Sequence, residues 1–85
     1  MSMHDFAVIG EVCPICGQGR LFAAFNGESQ QKPYVLCEDC EAEWDSPRAA
    51  SSADAATHGR HTFSRYAKVD DLQDHPWGQF VINKT

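Results

Sequence analysis

Hydrophobic residues in this chain come in short runs separated by turn-forming residues, a pattern that predicts strands rather than long helices. An apolar run over residues 5–12 is long enough for one short strand. A second run, over residues 20–25, ends at Asn26-Gly27, one of the strongest short signals for a β-hairpin. The chain then returns through a third run at residues 32–36. The pattern predicts a β-hairpin as the central element.

Residues 41–45 alternate in polarity, as a strand with one buried face does. Ala42 and Trp44 fall on one face. The opposite face carries three acidic side chains: Glu41, Glu43 and Asp45. We therefore expect a third strand whose carboxylates face solvent.

The segment that follows is mostly Ala and Ser and has no large side chain to bury. It predicts a short helical turn at most, within a mobile loop over residues 48–61. Residues 62–66 favour another strand, and the acidic pair at 70–71 can begin a short helix. Aromatic and β-branched residues at 77–82 would then cap the hairpin. The expected fold is a small α+β, mostly β domain: a hairpin or three-stranded sheet with a short C-terminal helix.

The four cysteines of the chain form two C-x2-C pairs, one at each open end of the predicted hairpin: Cys13, Cys16, Cys37 and Cys40. Such spacing is typical of a tetrahedral site in which four thiolates hold one structural Zn²⁺. Gly17 follows the first pair, where the turn past the second ligand commonly needs a positive φ. The sequence therefore predicts one structural zinc ion.

Other uses of the thiols remain open from the residues alone. Iron in a four-thiolate cage is chemically feasible, although rubredoxin-like electron carriers favour Gly after both turns, and Glu41 follows the second one here. Two disulfides, or a redox dithiol at residues 13–16, are further alternatives; the Gly-Gln-Gly after that pair is a poor start for the helix that usually lowers such a thiol pKa. Catalytic zinc is disfavoured because four thiolates close the coordination sphere.

Chain length makes a metal important to folding. The 85 residues form a single domain, 1–85, near the lower size limit for folding on a hydrophobic core alone. A core of this size rarely supplies more than about 3–5 kcal/mol. Structural zinc binding is worth about 10–16 kcal/mol and is coupled to folding. We expect zinc to be a condition of the fold.

Charge and the amino-terminal segment narrow the choice of partner and compartment. The formal net charge is −5, and four thiolates with one Zn²⁺ bring it to about −7. This charge is repelled by phosphate backbones and argues against nucleic acid as a partner. Residues 1–12 contain no secretory signal or membrane segment, which favours a reducing cytoplasm.

The acidic residues around the second cysteine pair have two interpretations: Glu38, Asp39, Glu41, Glu43 and Asp45. One is a solvated surface that keeps a small protein soluble. The other is a docking surface for a basic protein, since charge complementarity selects partners and raises the association rate. We expect Glu41, Glu43 and Asp45 to bind such a partner.

Two histidines, His58 and His61, have ligand-like spacing for a second metal site. Without a carboxylate or cysteine nearby in sequence, they fit two exposed loop histidines better. The chain carries no Ser-His-Asp order, phosphate-binding glycine loop or paired-carboxylate cleft, so we expect it not to be an enzyme.

Residues 13–21 (CPICGQGRL) and 37–47 (CEDCEAEWDSP) resemble zinc ribbons, and more narrowly small bacterial zinc-ribbon proteins. The ending at 69–81 (VDDLQDHPWGQFV) is similar too, although Pro76 stands where such proteins often have Gly. The resemblance covers most of the chain except roughly residues 48–62. The resemblance implies a non-catalytic module that binds another protein, and a bacterial toxin would be one such partner. A nucleic-acid-associated zinc ribbon and an iron electron carrier are the alternatives.

Overall fold

The computed structural model describes residues 6–27 and 29–83, and its centre is an antiparallel sheet. Five strands build it: β1 (Val8–Gly10), β2 (Leu21–Asn26), β3 (Ser29–Cys37), β4 (Glu43–Trp44) and β5 (Phe63–Tyr66). The predicted hairpin is formed by β2 and β3, and the predicted third strand, β4, pairs with the free edge of β3. The sheet is wider than the three strands expected, because β1 and β5 are added to β2.

β1 and β5 share one edge of β2, and three alanines form their junction. The amide of Ala7 donates to the carbonyl of Ala67 (2.8 Å), Ala67 donates to Ala23 (2.9 Å), and Ala23 donates to Ala7 (3.1 Å). This ring of backbone hydrogen bonds has no solvent-exposed residue in it. Small side chains let the three backbones approach closely, and larger ones would have to displace packed neighbours.

The two faces of the sheet are covered differently. Alternate residues of β2 and β3 point to a first face, which carries the metal centre and the main core: Leu21, Ala23, Phe25, Val35 and Cys37. The C-terminal segment packs on this face through Leu72, Trp77 and Val81. The second face carries the intervening side chains and is covered by β5 and the loop before it: Phe22, Ala24, Tyr34 and Leu36.

The prediction of a short C-terminal helix is wrong in that no α-helix forms there among the described residues. Two 3-10 helices occupy this region, Val69–Leu72 and Pro76–Phe80. The acidic pair predicted to begin a helix does lie in the first of these 3-10 helices. The carboxylate of Asp71 caps that helix by accepting from the amide of Lys68 at 2.8 Å. His75 precedes a proline and is extended (ψ 149°), so the first helix ends after one turn.

The segment expected to be a mobile loop, 48–61, contains two further 3-10 helices, Ala49–Ser51 and Ala53–Ala55. Ala50 is buried in the core beside Trp44, whose Nε1 donates to the carbonyl of Ser52 at 2.9 Å. The expected short helical turn is thus present, and the mobility stays a prediction. Within the part of the chain that the structure describes, no helix has the length and hydropathy to cross a membrane.

Leu72 tests whether the C-terminal segment belongs to the core. Its side chain is fully buried, whereas nearby Ile82 is 51% exposed. We expect Leu72→Ala to lower the free energy of unfolding of the zinc-loaded protein by about 2–5 kcal/mol, because it leaves a cavity. Ile82→Ala is the control and should change it by less than about 0.5 kcal/mol in urea denaturation. Equal effects would show that this segment does not contribute to the core.

Candidate metal centre

The hairpin brings the four cysteine sulfurs together. Their Sγ atoms all lie within 4.8 Å of one another. The first cysteine turn, residues 13–17, lies between β1 and β2, and the second cysteine turn, residues 37–41, lies between β3 and β4. Leu21 at the start of β2 pairs with Cys37 at the end of β3, which sets the two turns side by side. The predicted convergence of the four cysteines is confirmed.

The sulfur separations fit a tetrahedral ion. Sγ of Cys13 lies 3.7 Å from Sγ of Cys40, and Sγ of Cys16 lies 3.7 Å from Sγ of Cys37. Four sulfurs about 2.3 Å from a zinc ion would lie about 3.8 Å from one another. A disulfide would need about 2.05 Å, and all four cysteines are free. Each close pair joins the two turns, so an ion held here ties them together.

Backbone amides surround the sulfurs as hydrogen-bond donors. Four such contacts measure 3.3–3.4 Å: Ile15 to Cys13, Gly19 to Cys16, and both Asp39 and Cys40 to Cys37. Hydrogen bonds of this kind stabilise the thiolate and orient it toward a metal. The turns are therefore arranged for four charged sulfur ligands.

The thiols differ in their electrostatic surroundings. Backbone hydrogen bonds from Gly19 and Gln18 lower the pKa of Cys16 to about 6. Burial raises the pKa of Cys37 to about 12, and burial also raises the pKa of Cys40. A cation bound among the sulfurs would deprotonate all of them, since a coordinating thiol loses its proton outright. With four thiolates the coordination sphere is closed, which favours a structural role for the ion.

Close approach of the two turns depends on Gly19, which the sequence analysis gave no role. A Cβ at this position would lie 2.7 Å from Sγ of Cys37 and 2.8 Å from Cβ of Asp39. The carbonyl of Gly19 also accepts from the amide of Cys13 at 2.8 Å, closing the first turn. The sequence does show Gly19 as the second glycine after Cys16. Its steric role could not be predicted, because the contacts of a Cβ there are with residues of the other cysteine turn.

The residue after each cysteine pair has a left-handed backbone. Gly17 has φ 70°, as predicted for the first turn. Glu41 has φ 64° in the second and is the one non-glycine residue with a positive φ among residues 6–27 and 29–83. This conformation costs a residue with a Cβ about 1–2 kcal/mol. The chain thus has a glutamate at position 41, where the backbone conformation favours glycine.

The structure separates the three acidic residues expected on one exposed face. Glu41 and Asp45 are exposed, but Glu43 is only 6% exposed, so its predicted solvent exposure is wrong. Its carboxylate accepts from the amides of Gly59 (3.1 Å) and His61 (2.9 Å) and lies 2.7 Å from Nδ1 of His61. These contacts compensate burial of the charge. They also fix the loop that covers the second face.

The two histidines are not brought together as metal ligands. His58 is exposed, whereas the ring of His61 stacks on Tyr34 with centroids 4.3 Å apart. Nε2 of His61 lies 3.1 Å from Oδ1 of Asp45, so both ring nitrogens face carboxylates. Among the described residues, only the four cysteines form a group of three or more metal-ligating side chains. His61 and the two carboxylates therefore do not form a second metal site with His58 among the described residues.

Metal content tests the identity of the ion. Protein purified without added metal is expected to carry about one zinc per chain, because four thiolates at tetrahedral spacing suit Zn²⁺. Elemental analysis measures this, and Cys37→Ser should abolish it. Stoichiometric iron with a visible charge-transfer absorption would contradict the assignment.

Gly19 tests the packing of the two turns. Gly19→Ala is expected to weaken zinc binding about 5- to 150-fold, since overpacking typically costs 1–3 kcal/mol. Gly17→Ala is the control, because it adds backbone strain at φ 70° where a Cβ meets nothing within 4 Å. Competition with a chromophoric chelator measures both affinities. A larger loss for Gly17→Ala would contradict a steric role for Gly19.

Comparisons of the chain with family models, with curated proteins and with solved structures found no match in any of the three. The resemblance to zinc ribbons therefore stands on the residues that carry it. The geometry supports its central element: a cluster of four cysteines, suited to a metal ion, at the end of an antiparallel hairpin.

Proposed function

We propose that this protein is a non-catalytic interaction module built around one structural zinc ion, and that it binds a basic protein. The observation that carries the proposal is the closed set of four sulfurs within 4.8 Å. A saturated thiolate cage offers no coordination position to a substrate, so the ion serves the fold. Thiols kept available for metal also fit a reducing cytoplasm.

An acidic surface beside the cage supports a basic partner. It consists of four exposed residues: Glu38, Asp39, Glu41 and Asp45. Zn²⁺ with four thiolates carries a charge of about −2, so this end of the molecule is strongly negative. Such crowding of like charge costs stability, and a basic surface would relieve it on binding.

Pairing within the chain leaves part of the acidic surface available. Glu38 pairs with Arg20 at 3.0 Å, and Asp45 lies near Arg60 at 3.8 Å. In the ranges that the structure describes, neither Asp39 nor Glu41 has a basic partner. Their charges are free to attract lysine and arginine side chains, and to repel nucleic acid. A protein toxin neutralised by this chain would be one such partner.

Charge removal tests the acidic surface. The triple variant Asp39→Asn, Glu41→Gln, Asp45→Asn is expected to weaken binding of a partner captured from the native host at least tenfold, because surface charges steer association. Glu43 stays unchanged since its carboxylate is buried. Titration calorimetry with the purified partner, at low and physiological salt, measures the effect.

The matched control removes three exposed carboxylates elsewhere: Asp54→Asn, Asp70→Asn and Asp74→Asn. Both triple variants change the net charge equally, and both should retain zinc. The control is expected to bind the partner almost as the native protein does. Equal weakening by the two variants, or a captured partner that is not basic, would contradict the proposal.

A further inference from the structure

A cavity of about 350 Å³ opens on the second face of the sheet, beside β4. Its walls include three aromatic rings and two carboxylates: Tyr34, Phe63, Tyr66, Glu41 and Glu43. Cavities that hold small ligands or single side chains begin at about this size. The combination of aromatic rings with carboxylates suits an organic cation.

Aromatic rings form a corner at the mouth of this cavity. Phe63 and Tyr66 have centroids 5.1 Å apart at 67°, an edge-to-face arrangement. Phe63 is 50% exposed, so its ring is accessible to a ligand from solvent. The ring faces carry negative quadrupole potential, which attracts ammonium and guanidinium groups within about 6 Å.

The carboxylates make the cavity electrostatically negative. Glu43 is held rigidly at its wall by His61 and by two backbone amides. Burial, with a smaller contribution from the negative charge of Glu43, raises the pKa of Tyr34 to about 12. Burial likewise raises the pKa of Tyr66, with smaller contributions from nearby negative groups that include Glu41. Both phenols therefore stay neutral at physiological pH, and the negative charge of the cavity comes from its two carboxylates.

The backbone at Glu41 provides a separate argument. Its φ of 64° favours glycine, yet the chain places a glutamate there and its side chain lines the cavity. Residues held in sparsely populated backbone conformations cluster at active sites and ligand-binding sites. The metal centre needs only the backbone of this residue, so the carboxylate is available for another task.

Two arginine side chains are paired outside the cavity. Arg20 pairs with Glu38 and lies over Phe22, and Arg65 pairs with Asp71. His61 is the basic group on the cavity wall, and carboxylates of Glu43 and Asp45 already contact both of its ring nitrogens. No lysine or arginine among the described residues lines the cavity.

We propose that this cavity receives the side chain of a lysine or arginine from a protein partner. The aliphatic stem packs against Phe63 and Tyr66, and the cationic head lies between Glu41 and Glu43. That the partner is a basic protein rests on the proposed function. The cavity adds the position at which one side chain of that partner would bind, within the acidic end of the molecule.

Amino-acid amides test the cavity without any partner. Zinc-loaded, ¹⁵N-labelled protein is titrated with N-acetyl-lysine methylamide, N-acetyl-arginine methylamide and the neutral N-acetyl-norleucine methylamide. The cationic probes are expected to shift the amide signals of Gly59 and His61, which donate to Glu43, with dissociation constants on the order of 1 mM. The norleucine probe should produce no saturable shift. A larger effect of lysine or of arginine identifies which of the two side chains the cavity prefers.

Three variants separate the aromatic and charged contributions. Phe63→Leu should weaken binding at least fivefold because it removes the ring, and Phe63→Tyr should preserve it. Glu41→Gly should also weaken binding at least fivefold while leaving stability unchanged or higher, since glycine relaxes the backbone. Asp54→Asn is the control for a general loss of charge and should have no effect.

Two results would overturn the cavity as a cation site. One is equal binding of the norleucine probe; the other is an Asp54→Asn variant that loses as much affinity as Glu41→Gly. If these occur while the acidic surface still governs capture of a basic partner, the cavity fails and the proposed function stands. If the probes bind as expected but no basic partner is captured, the cavity stands and the proposed function fails.

Discussion

Convergence of four cysteine sulfurs at the open end of one hairpin is the constraint on which this structure depends. The outer strands are short, with three residues in β1 and two in β4, and each enters or leaves the sheet through a cysteine turn. Backbone hydrogen bonds close the turns: Cys13 donates to Gly19 and Gly17 donates to Cys13 at the first, and Cys37 donates to Ala42 at the second. Four thiolates gathered in a partly buried cluster would repel one another, so a bound divalent cation would stabilise the arrangement.

The same turns also place the charged chemistry of the molecule. Residue 41 must adopt a left-handed backbone to close the second turn, and the chain accepts a glutamate there. Two residues later, Glu43 leaves the metal side of the sheet and pairs with His61 on the second face. One turn thus connects the cage, the exposed acidic surface and the cavity. In our account, the left-handed backbone at Glu41 lowers folding stability, and its carboxylate contributes to binding of the partner.

Local sequence signals were enough to predict the hairpin and the meeting of the cysteines. Asn26-Gly27 and period-2 alternation act over a few residues, and the two C-x2-C spacings are an independent local signal for a shared site. Burial of Glu43 was missed because its partner lies 18 residues away in a segment that has no hydrophobic period. Strands were expected at both β1 and β5, but their pairing with β2 was missed because it joins residues distant in sequence. The C-terminal helix was overestimated because the extended residue before Pro76 limits it to one turn.

Removal of the metal tests the central claim most directly. Zinc-loaded ¹⁵N-labelled protein is treated with a strong chelator, and its amide spectrum is recorded before treatment, after it, and after zinc is restored. We expect the dispersed signals to collapse across the whole chain, including those of Ala7, Ala23 and Ala67 at the strand junction, which lies outside both cysteine turns, and to return with zinc. A chelated protein that keeps the dispersed signals of this junction would contradict the account, because the sheet would then fold without the cage.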